Sequence, residues 1–392
     1  MTDDLTGNPI PEQFQRSGPP VGEALKRVMA MREALGITRI ADITGLDRIG
    51  IPVMQAVRPF SLSNVVSQGK GGSAAQAVIS AVLESVESFC AERLQGFDAF
   101  VASANALDIP SDRFDCHLRQ DAPADWRDRE TAWVAADNLL GNGRDMVPLE
   151  LVHTAYVDPP YAHDGLFVAS TTGLAAAFDQ QDAIVHGLLE CVERDAIARA
   201  NRTHAFFQRC QIDPKTIDNP AVCSLLGCLD DRGLLVGLWH ALSPTGLPVI
   251  WCHLMEKASA QTTLLDHPAE GSAASFDPSA AIVHAIYEAA QSRLAAISGA
   301  RDDMTRAAYP KYPDWQKIAA HKRLIAESQH GNHFHALSAR GDCSGDPLSL
   351  LLTKLEQIGV TEIFKVQIDA GPVVGVSVVR IVVPALLPLL QG

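Results

Sequence analysis

The sequence predicts an α+β fold, a mixed α/β chain with mixed and antiparallel sheets and three acidic helices that converge. Apolar β-branched runs alternate with helical stretches but keep no regular strand–helix beat. One pair of such runs brackets a clear turn, Ser243-Pro244-Thr245-Gly246. A single acidic helical pattern also occurs three times at long intervals.

In chain order, residues 1–20 read as a polar tail and residues 21–392 as one domain. A helix is predicted over Gly22–Leu35, then strands at Arg39–Ile43 and Ile51–Val57 around the turn-rich Gly45–Gly50. Gly/Ser-rich loops are expected at Ser67–Ser73, Ser170–Gly173 and Gly271–Pro278. Each opens a helix, at about Ala74–Arg93, Gln181–Ala200 and Ser279–Ile297. Between the first two helices, Gly141–Asp158 reads as a loop. Leu234–Leu242 and Leu247–Leu254 form a hairpin in which Trp239 and Trp251 are expected core, and Ile363–Ile368 and Val373–Val383 read as strands.

Of the 392 residues, 47% are apolar and 20% charged, with a net charge of −14. That balance excludes a sequence-independent grip on nucleic acid, which needs clustered Lys and Arg. Every apolar stretch of spanning length is broken by charge, Gly or Pro; Val373–Leu390 comes closest and is cut by Arg380, Pro384 and Pro388. No membrane span and no secretory signal is expected. Eight cysteines without a CxxC pair read as buried thiols of a reducing compartment, the cytoplasm; Cys223 and Cys228 lack the second pair that zinc requires. His321, His330, His333 and His335 read as a surface loop.

The repeat reads Gln76–Glu87, Asp182–Glu193 and Ala280–Gln291. Its shared pattern is Ala, two apolars, Ser or His, a small residue, two bulky apolars, Glu, two residues, then Glu or Gln. The first glutamates, Glu84, Glu190 and Glu288, lie 106 and 98 residues apart, too far for a stacked solenoid and suited to three units around one place. At ~100° per residue, Ser80, Glu84 and Glu87 share one helix face, as do Glu190 with Glu193 and Glu288 with Gln291. Such an acidic cluster repels itself unless cations join it, and Mg²⁺ shared with a nucleoside triphosphate is a natural ligand. Lys70, Arg194 and Arg293 lie beside the motifs.

Periodicity alone leaves two readings open, a solvated glutamate stripe or a site. Retention of the acidic positions while intervening residues change favours the site. So does the Gly/Ser-rich segment before each copy, which would turn helix N-terminal amides toward an anion. Gly69, Gly71 and Ala74 match a dinucleotide fingerprint locally, but no clean βαβ unit follows and the helix face is acidic.

At these residues the sequence resembles the YcaO family of ATP-dependent enzymes that activate backbone amides. The resemblance runs through Leu46–Val53, Arg58-Pro59, Ser67–Gly71 and Ser80-x3-Glu84-x2-Glu87. It continues through Gly173-Leu174-Ala175, Asp182, Glu190-x2-Glu193-Arg194-Asp195, Glu288-x2-Gln291-Ser292-Arg293 and Gly299–Asp302. It implies a YcaO-like fold with ATP and Mg²⁺ among the three helices. Glu84, Glu87, Asp182, Glu190 and Glu193 are the implied metal ligands. Lys70, Ser80, Glu288, Gln291, Arg194 and Arg293 complete the implied nucleotide site, with Glu87, Glu190, Arg194 and Arg293 as catalytic candidates. The substrate implied is a peptide or protein backbone amide, phosphorylated on oxygen and then attacked by a Cys, Ser or Thr side chain to give an azoline, or by sulfide to give a thioamide.

Departures are also present. Ala177-Phe178 stand where the family has Gly-Asn, Asp182 replaces a Glu, and Ser88 replaces an Arg. Arg293 falls about 140° round the helix from Glu288. Pro384 and Pro388 do not make the Pro-x-Pro-x-Pro ending of azoline-forming members, and no substrate-recruiting domain is expected before residue 40. The expectation is a homodimeric enzyme working with a separate TfuA-like or leader-binding partner.

Overall fold

The computed structural model describes residues 18–389 except 142, 258–264, 266, 301–313, 327–331 and 338–344. Helix α1 (Val21–Met31) leads to β1 (Arg39–Asp42) and β2 (Val53–Val57), and β3 (Val66–Lys70) completes an antiparallel sheet in the order β1-β2-β3. Helix α2 (Ala74–Ala91) follows at once. Strands β4 (Phe100–Ser103), β5 (Glu130–Asn138), β6 (Arg144–Pro148) and β7 (Leu174–Ala177) precede α3 (Gln180–Asn201). Helices α4 (Phe206–Arg209) and α5 (Pro220–Asp231) lead to β8 (Leu234–His240), β9 (Val249–Glu256) and β10 (Ala269–Ala274), a second antiparallel sheet with β9 central. Then come α6 (Pro278–Ser298), α7 (Trp315–Ala326), α8 (Pro347–Gln357), β11 (Phe364–Ile368) and β12 (Ser377–Val382). The last two strands enter the largest sheet, ordered β4-β5-β11-β12-β7 with β6 on β5.

Each sheet therefore ends on a strand, β3, β7 or β10, that runs directly into one of the three acidic helices. Each helix packs on its own sheet and also on the edge strand of the next unit: α2 on β7, α3 on β10, α6 on β3. The three units thereby close into a ring.

Two of the expected loops are strands instead. Ser67–Ser73 supplies most of β3, and Gly271–Pro278 begins within β10. The cause is the tight approach of the helices. A Cβ on Gly69 would collide with the backbone of Ala77 and Ala81, and one on Gly271 with that of Ala285 and Ala289. Small residues are required there, so the β-branched signature of a strand is missing. Gly141–Asp158, expected as loop, contains β6 and a 3-10 turn at Leu149–Leu151. Only Ser170–Gly173 remains a loop, and β7 intervenes before its helix. The hairpin β8–β9 forms with Trp239 opposite Trp251, both buried. Helix α2 is long and apolar enough to cross a membrane by composition, yet it carries Glu84 and Glu87 and packs against α1, β2, β3 and β7.

Of the histidine group, His333 and His335 are exposed, His330 lies outside the described residues, and His321 stacks on buried His253, ring centroids 5.0 Å apart. Arg301 and Asp302 also lie outside the described residues.

Candidate active site

The acidic helices begin alike. Ser73 caps α2 through the Gln76 amide, Asp179 caps α3 through the Gln181 and Asp182 amides, and Asp277 caps α6 through the Ser279 amide. These caps occupy N-terminal amides that the sequence reading had facing an anion, a correction to that reading. In every copy the cap lies 11 residues before the first glutamate (84 − 73, 190 − 179, 288 − 277), about 16 Å along the helix. The site is therefore at mid-helix.

There the carboxylates follow one rule. The first acid of each motif faces its own unit: Glu84 accepts from the Gln68 amide at 3.2 Å, Glu190 from the Gly173 amide at 3.1 Å, and Glu288 faces the Ser272 amide. The second residue reaches the next unit: Glu87 accepts from the Ala176 amide at 2.8 Å and Glu193 from the Ala274 amide at 3.3 Å. Gln291 closes the ring by donating to the Gln68 carbonyl at 3.3 Å. The third copy has Gln rather than Glu because its partner is an acceptor, which a carboxylate cannot satisfy.

Two cations bind the ring together. Lys70 Nζ lies 3.0 Å from Glu288. Arg194 reaches Glu193 at 3.2 Å, Glu190 at 3.6 Å and Glu288 at 3.8 Å. Ser272, which sequence reasoning placed in a loop, donates its hydroxyl to Glu193 at 2.6 Å and accepts from Arg194 at 3.4 Å. Its Gly-Ser setting was the available signal.

Electrostatics separates the acids. Burial raises the Glu190 pKa, against the pull of Arg194 and the Gly173 amide. Burial likewise pushes Glu193 up to about 7, with Arg194 opposing. At Glu288 burial acts in the same sense, but Lys70 and Arg194 outweigh it and hold the carboxyl below its ordinary value. Burial would lower the Arg194 pKa, and Glu193, Glu288 and Glu190 raise it instead.

The structure thus brings together Lys70, Glu84, Glu87, Glu190, Glu193, Arg194, Glu288 and Gln291, with Ser80 half-buried one turn before Glu84. Asp182 lies half-buried in the first turn of α3, two turns from Glu190. Arg293 does not join them. It is 1% exposed and held by Asp47 at 2.6 Å and Glu256 at 2.6 Å, away from Glu288 as the 140° offset indicated, so the place in the nucleotide site that the resemblance implied for it is corrected. Phe178 packs toward α1 and α2, with the Arg27 guanidinium 4.3 Å above its ring.

Among the described residues no three His, Cys, Asp or Glu side chains form a closed metal cage. The donors present are hard carboxylate oxygens with lone pairs left over, beside two cations. That set suits Mg²⁺ completed by phosphate oxygens rather than a metal enclosed by protein.

Residues 68–387 match the family described as YcaO cyclodehydratase, ATP- and Mg²⁺-binding. The chain belongs to the YcaO family. ATP and Mg²⁺ are accordingly its cofactors, and YcaO enzymes are ATP-dependent. An uncharacterised protein of Methanothermobacter thermautotrophicus is 33% identical to this YcaO chain over 376 residues, 93% of each chain. A protein of Rhizobium leguminosarum bv. trifolii, described as uncharacterised in the tfuA 3′ region, is 29% identical over 362 residues, 90% of this chain and 84% of its own. The solved YcaO of Methanopyrus kandleri, bound with AMPPCP and Mg²⁺, superposes with a TM-score of 0.70 at 22% identity, covering 94% of this chain and 91% of that one, a likeness of fold.

Proposed function

We propose that this protein phosphorylates a backbone amide of a peptide or protein substrate and exchanges the amide oxygen for sulfur, working with a TfuA-like partner. The observation that carries the amide-activating part is the ring itself, in which Arg194 and Lys70 tie acids of α3 and α6 together while the β3 and β7 amides hold Glu84 and Glu87 of α2 beside them. The relative described by its place in the tfuA 3′ region supports the partner and the thioamide product.

When bound, ATP with Mg²⁺ supplies the phosphoryl group that makes the amide oxygen a leaving group. The chain's residues do the rest by position and charge. Glu84, Glu87, Asp182, Glu190 and Glu193 hold the metal ions. Glu87 and Glu190 are fixed for this by backbone amides of the β7 segment. Lys70, Arg194 and Ser80 meet phosphate oxygens, and Gln291 keeps α6 registered on β3 beside them. Glu288 holds Lys70 and Arg194 in place until phosphate takes its share of their charge. Arg293 has no phosphate role in this reading, because Asp47 and Glu256 already occupy it.

The test is Mg²⁺-dependent ATP turnover with a candidate peptide and the partner, read together with the substrate mass. Exchange of oxygen for sulfur is expected, and turnover collapses in Glu87→Gln and Glu190→Gln. Loss of water instead would establish the azoline reading, which the family's description as cyclodehydratases favours. Nucleotide binding with no turnover under any substrate would point to a retired scaffold.

A further inference from the structure

Among the described residues Arg380, on β12, is a buried cation with no salt-bridged anion. It is 3% exposed, and its one hydrogen bond among them runs from Nη2 to the Ser170 carbonyl at 2.6 Å. Nε and Nη1 have no partner among the described residues. An unpaired guanidinium in the interior costs several kcal/mol, far more than an apolar side chain of the same volume. Such a residue is retained where something outside the chain completes it.

Its surroundings say what. Arg380 pairs in register with Leu174, directly after Gly173, whose amide caps Glu190. Its electrostatic neighbours are Tyr156, Cys191 and Glu190. Thr154, two residues before Tyr156, contributes a buried hydroxyl that also lacks a partner. The covering segment is the Ser170–Gly173 loop, held by internal turns from Thr172 to Ser170 and from Leu174 to Thr171, with Thr171 exposed. A Mg²⁺ held by Glu190 would repel the guanidinium unless an anion lay between them. A phosphoryl oxygen meets both charges.

We propose that Arg380 is a contact for the phosphoryl group in transfer, donating to its oxygens when the Ser170–Gly173 loop shifts to admit them. This deepens the proposed function and rests on it. In the step concerned, the amide oxygen bonds to the γ-phosphorus while the bond to the bridging oxygen breaks, and that electron pair leaves on ADP. The charge on the three equatorial oxygens is what Arg380 meets. Lys70 and Arg194 meet the nucleotide in both ground and transition states; Arg380 acts only on the moving group.

Isothermal titration with ADP·Mg²⁺, with and without aluminium fluoride as the mimic of that group, tests this without a peptide. Wild type is expected to bind ADP·Mg²⁺ and to tighten with fluoroaluminate. Arg380→Met should keep its ADP·Mg²⁺ affinity within about twofold and lose about 10- to 100-fold of the tightening, the worth of a hydrogen bond to a charged group. Arg380→Lys should keep part of it, which guards against a folding defect in the first variant. The thermal midpoint of Arg380→Met should stay level or rise, since an unpaired charge has gone; a marked fall would make the residue structural and overturn the inference. Equal tightening in wild type and variant, no tightening in wild type, or loss of ADP·Mg²⁺ binding itself in Arg380→Met would also overturn it. Failure of wild type to bind ADP·Mg²⁺ at all would sink the proposed function, and this inference with it.

Discussion

Replacing Gln291 by Glu tests whether the three units are closed by hydrogen-bond complementarity. Gln291 Nε2 donates to the Gln68 carbonyl at 3.3 Å. An isosteric carboxylate removes the donor, sets acceptor against acceptor, and adds charge one turn from Glu288. A part-buried acceptor left unsatisfied costs about 1–3 kcal/mol, a fall of about 1–4 °C in the melting point of a chain this long. The deficit depends on pH with a definite sign. Facing a carbonyl and a neighbouring acid, the new carboxyl has a folded pKa above its unfolded value, so the folded state holds a proton the unfolded state releases. The deficit should therefore be full at pH 8 and shrink at pH 5, where the protonated group donates to Gln68 again. Glu87→Gln is the control: its carboxamide oxygen still accepts from Ala176, so it should cost less than about 1 kcal/mol with no such pH dependence. Urea unfolding of wild type and both variants at the two pH values gives the comparison. A Gln291→Glu protein as stable as wild type at pH 8, or a Glu87→Gln deficit of the same size and profile, would refute the closure rule.

Four further outcomes are expected. Glu193, raised to about 7, holds a proton that the unfolded chain releases near 4.5, so metal-free stability should fall as pH rises across that window, and Glu193→Gln should flatten the slope in denaturation series. Mg²⁺ must displace that proton, so calorimetry in two buffers of different ionisation enthalpy should show proton release near neutral pH that Glu193→Gln abolishes. Lys70→Met removes a partly exposed ion pair, so stability should change by less than about 1 kcal/mol while steady-state ATP turnover falls about tenfold or more. Arg293→Met takes the buried cation from Asp47 and leaves Glu256 to Arg48, and should cost about 3–5 kcal/mol in urea unfolding, with ADP·Mg²⁺ affinity within about twofold of wild type.

The helices bearing Glu84, Glu190 and Glu288 were legible because an acid recurring at fixed offsets survives changes in its neighbours. The strands beside them were not, and for a physical reason. Gly69 and Gly271 are where a helix backbone lies flush on a strand, and the glycine that allows this erases the strand's own signal. Arg293 was placed in the site by the resemblance alone; the helical offset legible in the sequence already turned it to the far side of α6. Ser272 was hidden inside a segment expected to be loop. Arg380 showed in the sequence only as a charge breaking an apolar run, and its role emerges once its missing partners among the described residues are counted.

The Gln68–Gln291 bond joins residues 223 apart in the chain, and Lys70–Glu288 joins residues 218 apart. Contacts of that span are late events, because the entropy of closing the intervening loop must be met before the bond rewards it. On the ribosome, the first two acidic helices can emerge and pack with β3 still lacking its third neighbour. A nascent chain ending before α6 would have all five magnesium-binding acids but neither the Glu288 counter-charge for Lys70 nor a closed ring. Closure of the ring thereby waits for nearly three quarters of the polypeptide, and the seating of β7, which fixes Glu87 and Glu190, waits for β12 near its end.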